Sequence, residues 1–171
     1  MNFLVGLRLG YLTAIIEGEG TIDIRRNRVK YIADYIKRHY AYYYDYSGYT
    51  YAPYIVIANN SVELLEAVKD MIGEGRIVPV KRNNIKWKDS YYFRLTKREL
   101  VLILLRELLP YFMSDTKRRL CELIIEFCES RTSRFNEVRR QGGGGHPPYN
   151  TREIEIWKEV KELNKKGKKA Y

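Results

Sequence analysis

Two carboxylates and two glycines alternate at Glu17-Gly18-Glu19-Gly20, directly after an apolar stretch that starts near Leu4. Carboxylate and backbone carbonyl oxygens are the ligands that Mg²⁺ and Ca²⁺ take. The chemistry this tetrapeptide suggests is therefore a divalent ion held beside Glu19 and the Gly18 carbonyl. The same residues also suit an inert end, a helix closed by a solvated Glu-Gly turn. In both readings a cationic neighbour is expected, because acidic side chains at a helix C-terminus are unfavourable by a few tenths to about 1 kcal/mol each. One such segment offers too few ligands for a metal, and a second copy would bring a second carboxylate.

The element that must carry these groups is a helix. Gly6, Gly10, Ala14 and Gly18 recur every fourth residue, nearly one column on a helix surface, so that another backbone can approach closely. Leu4, Leu7, Leu12, Ile15 and Ile16 spread over the remaining faces, which predicts a helix buried on nearly every side. Gly18 and Gly20 are expected to supply the left-handed or otherwise unusual backbone that ends it.

The chain has 171 residues, enough for a domain with its own core. Lys and Arg number 31 against 21 Asp and Glu, a formal charge of +10, which points to a polyanionic partner and first of all to nucleic acid. The basic residues are spread over strands, loops and helices, unlike a basic helix lying on a membrane. No apolar run is long enough to span a bilayer and no signal peptide is evident, so an intracellular, cytoplasmic protein is expected. Cys121 and Cys128 fall seven residues apart on one expected helix, roughly 10 Å along its axis, too far for a disulfide, and read as core thiols. His39 and His146 have no partner at zinc spacing. Few Gln and Met beside abundant Lys, Arg, Glu, Ile and Tyr lean toward a thermophilic source.

Thr21 to Val29 alternates at period two and predicts a half-buried strand, with Ile22 and Ile24 inward and Thr21, Asp23 and Arg25 on the open face, Arg26 and Arg28 close by. A Tyr-rich stretch from Tyr31 to Tyr54 carries Tyr35, Lys37, Arg38 and His39; Tyr among basic residues suits phosphate contact and stacking, and equally suits a wet strand edge. Tyr54 to Ala58 reads as a strand, Asn59-Asn60-Ser61 as a turn capping a helix from Val62 to Ile72, and Gly73-Glu74-Gly75 as its stop. Arg76 to Val80 and Asn84 to Leu95 predict a hairpin. In its second strand Ile85, Trp87, Tyr91, Phe93 and Leu95 share one face, and Lys86, Lys88, Ser90, Tyr92 and Arg94 the other. Helices are expected at Leu100 to Leu109 and Thr116 to Arg131, followed by irregular chain from Arg131 to Arg140, a Gly/Pro linker, and a charged helix from Thr151 to Lys166 anchored by Ile154, Trp157, Val160 and Leu163. The division is a domain over 1–131, a basic and Gly/Pro-rich linker over 132–150, and a terminal helix and tail over 151–171. There is no internal repeat and no second Glu-Gly-Glu-Gly.

Leu12-Thr-Ala-Ile-Ile-Glu-Gly-Glu-Gly20 resembles the nine-residue motif of the LAGLIDADG homing endonucleases, with Glu17 and Glu19 where the motif has Asp. Ile57 to Leu65 and Ile72 to Gly75 are similar to the family's middle segment, and the resemblance runs from about Leu4 to Phe127. It implies an α+β chain of αββαββα order with a saddle-shaped antiparallel sheet, here extended by C-terminal helices. It also implies a single-motif homodimer packed through the motif helix at Gly10, Ala14 and Glu17, and a target of pseudo-palindromic double-stranded DNA. By the same resemblance Glu19 and the Gly18 carbonyl bind Mg²⁺, for which Ca²⁺ or Mn²⁺ substitutes in binding, Asn59 or Asn60 orients the attacking water, and Lys117 is the basic residue near the scissile phosphate. DNA contacts fall to Arg25, Arg26, Arg28, Tyr35, Lys37, Arg38, Lys86, Lys88 and Arg94. The family's mobile introns imply an archaeal intron-encoded enzyme. A non-catalytic nucleic-acid binder of the same fold, an RNA maturase or a transcription regulator, is the alternative, and a structural dimer with an inert turn is a third.

Overall fold

The computed structural model describes residues 3–28, 49–80, 89–142 and 147–166. In chain order these form α1 (Phe3–Glu19), β1 (Gly20–Arg28), β2 (Tyr49–Asn59), α2 (Val62–Ile72), β3 (Arg76–Pro79), β4 (Tyr91–Leu95), α3 (Arg98–Leu108), a 3-10 turn (Leu109–Tyr111), α4 (Asp115–Arg140) and α5 (Thr151–Lys166). The strands make one antiparallel sheet in the order β1-β2-β4-β3. Helices pack on one side of it, and the mixed helix and four-stranded arrangement expected from the sequence is present.

Strand parity explains the two sides. Ile22 and Ile24 of β1 lie opposite Ile55 and Pro53 of β2, and Ile55 and Ile57 lie opposite Leu95 and Phe93 of β4. All seven are buried, and all but Pro53 join Leu12 and Ile16 of α1, Leu65 and Val68 of α2, Val101 and Leu105 of α3, and Leu123, Ile124 and Phe127 of α4 in one apolar core. The other parity carries Thr21, Asp23, Arg25, Asn27, Tyr54, Val56, Tyr92, Arg94 and Arg76, of which Thr21, Arg25, Asn27 and Arg76 are exposed and Asp23 alone is buried. Pro53 lies where β2 pairs with β1 alone, since pairing to β4 begins at Ile55. Cys121 and Cys128 are free and buried, and burial pushes both thiols up to about 12, which keeps them protonated core groups.

Local signals account for the helix ends. The Ser61 hydroxyl accepts from the Leu64 amide at 3.1 Å and caps α2, which stops at Gly73 with φ 78°. Gly75 has φ 124°, and a Cβ there would strike the Phe93 ring, which is why this turn needs glycine twice over.

Four expectations are corrected. First, α1 is not buried on every side: Leu12, Thr13 and Ile16 face the core, whereas Leu7, Tyr11, Ala14 and Gly18 are exposed. Second, Gly18 lies within the helix and Gly20 begins β1, and neither is among the positive-φ glycines of the described residues. Gly20 is required for closeness instead: a Cβ there would lie 2.6 Å from the Ile16 carbonyl oxygen, so the chain can pass from helix to strand without a loop only if that atom is missing. Third, residues 132–140 continue α4 rather than being irregular, because Arg131 is buried and its guanidinium stacks on Phe135 one turn later. Fourth, α5 turns Ile156 and Val160 inward, with Trp157 and Leu163 flanking, so Ile156 takes the place expected of Ile154. The terminal helix packs on β1 and α4. Asn150 and Glu153 cap it reciprocally, and the buried Glu153 carboxylate also accepts from Arg134 at 3.1 Å and Ser130 at 2.8 Å. Tyr35, Lys37, Arg38, Lys86, Lys88 and the remaining hairpin residues of 81–88 lie outside the described residues.

Gly20→Ala is expected to lower the unfolding free energy by about 1–3 kcal/mol, the usual cost of forcing atoms into a filled space. Urea denaturation against the wild type measures it, and an unchanged midpoint would show that the α1–β1 junction relaxes freely.

Candidate active site

The end of α1, the end of β2 and the start of α4 meet at the α1–β1 junction. Glu17 and Glu19 leave α1 in different directions. One oxygen of Glu17 accepts from the backbone amides of Met113 at 2.8 Å and Ser114 at 2.7 Å. Ser114 is the N-cap of α4. The carboxylate is therefore at the C-terminus of one helix and the N-terminus of another, and the second dipole offsets the first. Glu17, expected at a helix–helix interface between two copies, is placed against its own chain.

Glu19 is exposed, and one of its oxygens accepts from the Asn59 side-chain amide. That amide is oriented by its other end, because Asn59 Oδ1 accepts from the Ser61 backbone at 2.8 Å. The turn that starts α2 thus also aims a donor at Glu19. Of the two candidates at this turn, Asn59 meets the acid and Asn60 is an exposed neighbour in the chain.

Lys117 stands in the first turn of α4 and donates its ammonium to the Gly20 carbonyl, one residue beyond Glu19. Burial holds its pKa below the ordinary lysine value, with the Glu17 charge acting in the opposite direction. Glu19, Asn59 and Lys117 are therefore brought to one junction from three elements. Among the described residues no group of three or more His, Cys, Asp or Glu gathers to hold a metal. One chain offers an exposed carboxylate and a helix-end carbonyl, a donor set that fits a hard divalent cation only where other oxygens complete it.

Two surfaces flank this junction. On one side is the exposed face of α1, with Leu7 54% and Tyr11 52% exposed and open space where a Cβ would stand at Gly10 and Gly18. On the other is the face of the sheet opposite the core, where Arg25 lies over the Tyr54 ring at 5.8 Å and Arg94 over Tyr92 at 4.8 Å. Arg26 does not belong to that face. Its parity puts it opposite Tyr51, and its guanidinium, exposed at the strand end, lies over the Tyr49 ring at 4.3 Å and the Trp157 ring at 4.6 Å. Arg28 is exposed at the strand end with the same parity as Arg26. Arg76, Asn27 and Tyr54 share the open face and were not singled out by the sequence reading, although period-two parity marks Arg76 and Tyr54 once pairing is known.

Glu17→Ala leaves the Met113 and Ser114 amides, which lead into α4, without this acceptor, and a loss of about 1 kcal/mol is expected. Chemical denaturation of the variant checks this, and full wild-type stability would mean that water replaces the cap.

No protein-family model matches the chain, and none of the curated protein sequences does. Solved structures do match. The chain is similar to the homing endonuclease I-CvuI, seen with the I-CreI target in Mg with the DNA not cleaved, with TM-score 0.58 and 17% identity over 96% of this chain and 82% of that one. It is similar to the archaeal intron-encoded homing endonuclease I-Vdi141I complexed with DNA, with TM-score 0.54 and 18% identity over 94% and 98%. It also matches I-SmaMI bound to uncleaved DNA with calcium, with TM-score 0.59 and 13% identity over 95% of this chain but 49% of that one. At such identities what is shared is the architecture, and with the helix-to-strand junction at Glu19-Gly20 it fixes one conclusion: this chain has the fold of the LAGLIDADG homing endonucleases.

Proposed function

We propose that the chain is a site-specific endonuclease that cuts both strands of duplex DNA with a divalent metal, works as a homodimer through α1, and is intron-encoded. The observation that carries this is the exposed Glu19 carboxylate, held between an exposed apolar face of α1 and the basic sheet face opposite the core. The solved neighbours that are DNA complexes support the substrate class. The match of this chain to half of I-SmaMI supports two copies doing the work of one longer chain.

Two copies joined along Leu7, Tyr11, Ala14 and Gly18 would set one Glu19 beside the other. Glu19 and the Gly18 carbonyl are the groups that would hold Mg²⁺, with Ca²⁺ or Mn²⁺ as substitutes in binding. When bound, such a cation supplies charge stabilisation at the scissile phosphate and a more acidic water. The protein's own contributions are then distinct. Asn59 restrains the Glu19 carboxylate and leaves it facing outward. Lys117, a partly desolvated cation, stabilises negative charge developing on the phosphoryl oxygens and yields its proton more readily than a surface lysine. Arg25, Arg94, Arg76 and Arg28 neutralise phosphates and position the duplex, which makes binding strongly salt-dependent. Two-fold symmetry asks for a pseudo-palindromic site.

Cleavage of a randomised plasmid library with and without Mg²⁺, wild type against Glu19→Gln, tests the reading. Wild type with metal should cut a long, rare site on both strands, while Glu19→Gln binds it and leaves it intact. Tight binding with no cleavage by either protein would instead establish the non-catalytic binder, a maturase or a regulator.

A further inference from the structure

The open face of the sheet carries a single acidic residue among its described strand positions, Asp23, in a place where a polyanion would be repelled. Asp23 is buried and its carboxylate fully engaged. Oδ1 accepts from the Ile24 amide at 2.7 Å and from Lys161 Nζ at 2.8 Å. Oδ2 accepts from Lys161 Nζ at 2.6 Å and from the Tyr54 hydroxyl at 2.9 Å. Lys161 comes from α5, which is fastened along the outer edge of β1 by Asn164 donating to the Ile22 carbonyl at 3.1 Å. The terminal helix thus neutralises Asp23, and Asp23 in turn takes the only proton that Tyr54 has to give.

A phenol has one O–H and otherwise only acceptor capacity. With that proton committed to a carboxylate, Tyr54 can only accept from whatever else approaches it. We infer that Tyr54 is a specificity-determining residue whose hydroxyl oxygen accepts from the exocyclic amino group of adenine or cytosine in the major groove, with Asp23 and Lys161 as positioning residues. The inference rests on the duplex-DNA reading above. Tyr54 is partly exposed on the open face and lies beside Arg25, which can hold the adjoining phosphate. Burial and the Asp23 charge push its pKa up to about 12, which agrees with a proton that stays on the phenol. In the major groove adenine and cytosine present amino donors, whereas guanine and thymine present carbonyl acceptors. An acceptor-only tyrosine therefore separates amino bases from keto bases at one position of each half-site.

Site selection from random duplex DNA in Ca²⁺, with full-length wild type, Tyr54→Phe and Asp23→Asn, provides the test. Wild type should favour adenine or cytosine over guanine or thymine at one position per half-site, on the order of tenfold, the usual weight of a single base contact. Tyr54→Phe should flatten that position and leave the others unchanged. In Asp23→Asn the Ile24 amide and Lys161, both donors to Oδ1, keep the oxygen on their side, the new NH₂ faces Tyr54 and frees the phenolic proton, and the preference should invert toward keto bases. A Tyr54→Phe profile identical to wild type, or an Asp23→Asn profile that keeps the amino preference, overturns the assignment while leaving DNA recognition standing. If wild type selects no sequence at all, the duplex-DNA reading falls and this inference with it. Should Tyr54→Phe prove unfolded by its thermal transition, the direction of the Asp23→Asn profile decides.

Discussion

The Glu17 carboxylate joins two helices end to end, the C-terminus of α1 and the N-terminus of α4, by accepting from the amides of Met113 and Ser114. Much of the site follows from this contact. It relieves the charge that two acids would otherwise place at a helix C-terminus. It brings the first turn of α4 against the α1–β1 junction, where Lys117 reaches the Gly20 carbonyl. It also leaves Glu19 as the unspent acid of the pair, free to face outward with only Asn59 as its partner among the contacts described. Gly20 makes this geometry compact, because the Ile16 backbone passes where its side chain would be.

Two different solutions to burying charge stand on either side of the sheet. On the covered side Glu153 is fully buried yet matched by Arg131, Arg134, Ser130 and the Asn150 amide, so the start of α5 is locked to α4 by a polar network with its partners present. Burial lowers the Arg131 pKa, opposed by Glu153, and Arg131 remains the cation that ties Pro147, Tyr149 and Glu153 together. On the opposite side Asp23 is matched from α5 by Lys161, so the helix that closes the edge strand also sets the electrostatics of the face beyond it. The terminal helix is thereby a working part of the sheet rather than an appendage.

Much of this was legible in the sequence. Period-two alternation in Ile22, Ile24, Phe93 and Leu95 gave the correct inward faces, Ser61 and Gly73 gave both ends of α2, and the Glu-Gly pattern located the junction on which Glu19, Asn59 and Lys117 converge. What was not legible depends on contacts distant in the chain. The meeting of Glu17 with Met113 and Ser114 was not legible, because nothing near it in sequence predicts that contact. The rings of Tyr49 and Trp157 beside Arg26 were not legible either, because charge alone does not show which aromatic side chains a distant helix brings to it. Gly18 and Gly20 looked like left-handed residues, whereas one suits an exposed stripe and the other a close backbone approach. Residues 132–140 looked irregular from their charge, and the buried Arg131 that carries the helix through them is a tertiary effect.

The central claim is that the candidate site is half a site, completed when the exposed face of α1 meets the same face of a second copy. Analytical ultracentrifugation of the wild type and of Ala14→Arg at micromolar concentration tests it most directly, with circular dichroism to confirm that both are folded. The account predicts a wild-type dimer and a folded monomer for Ala14→Arg. A folded wild type that sediments as a monomer, or an Ala14→Arg protein that remains a dimer, would contradict it.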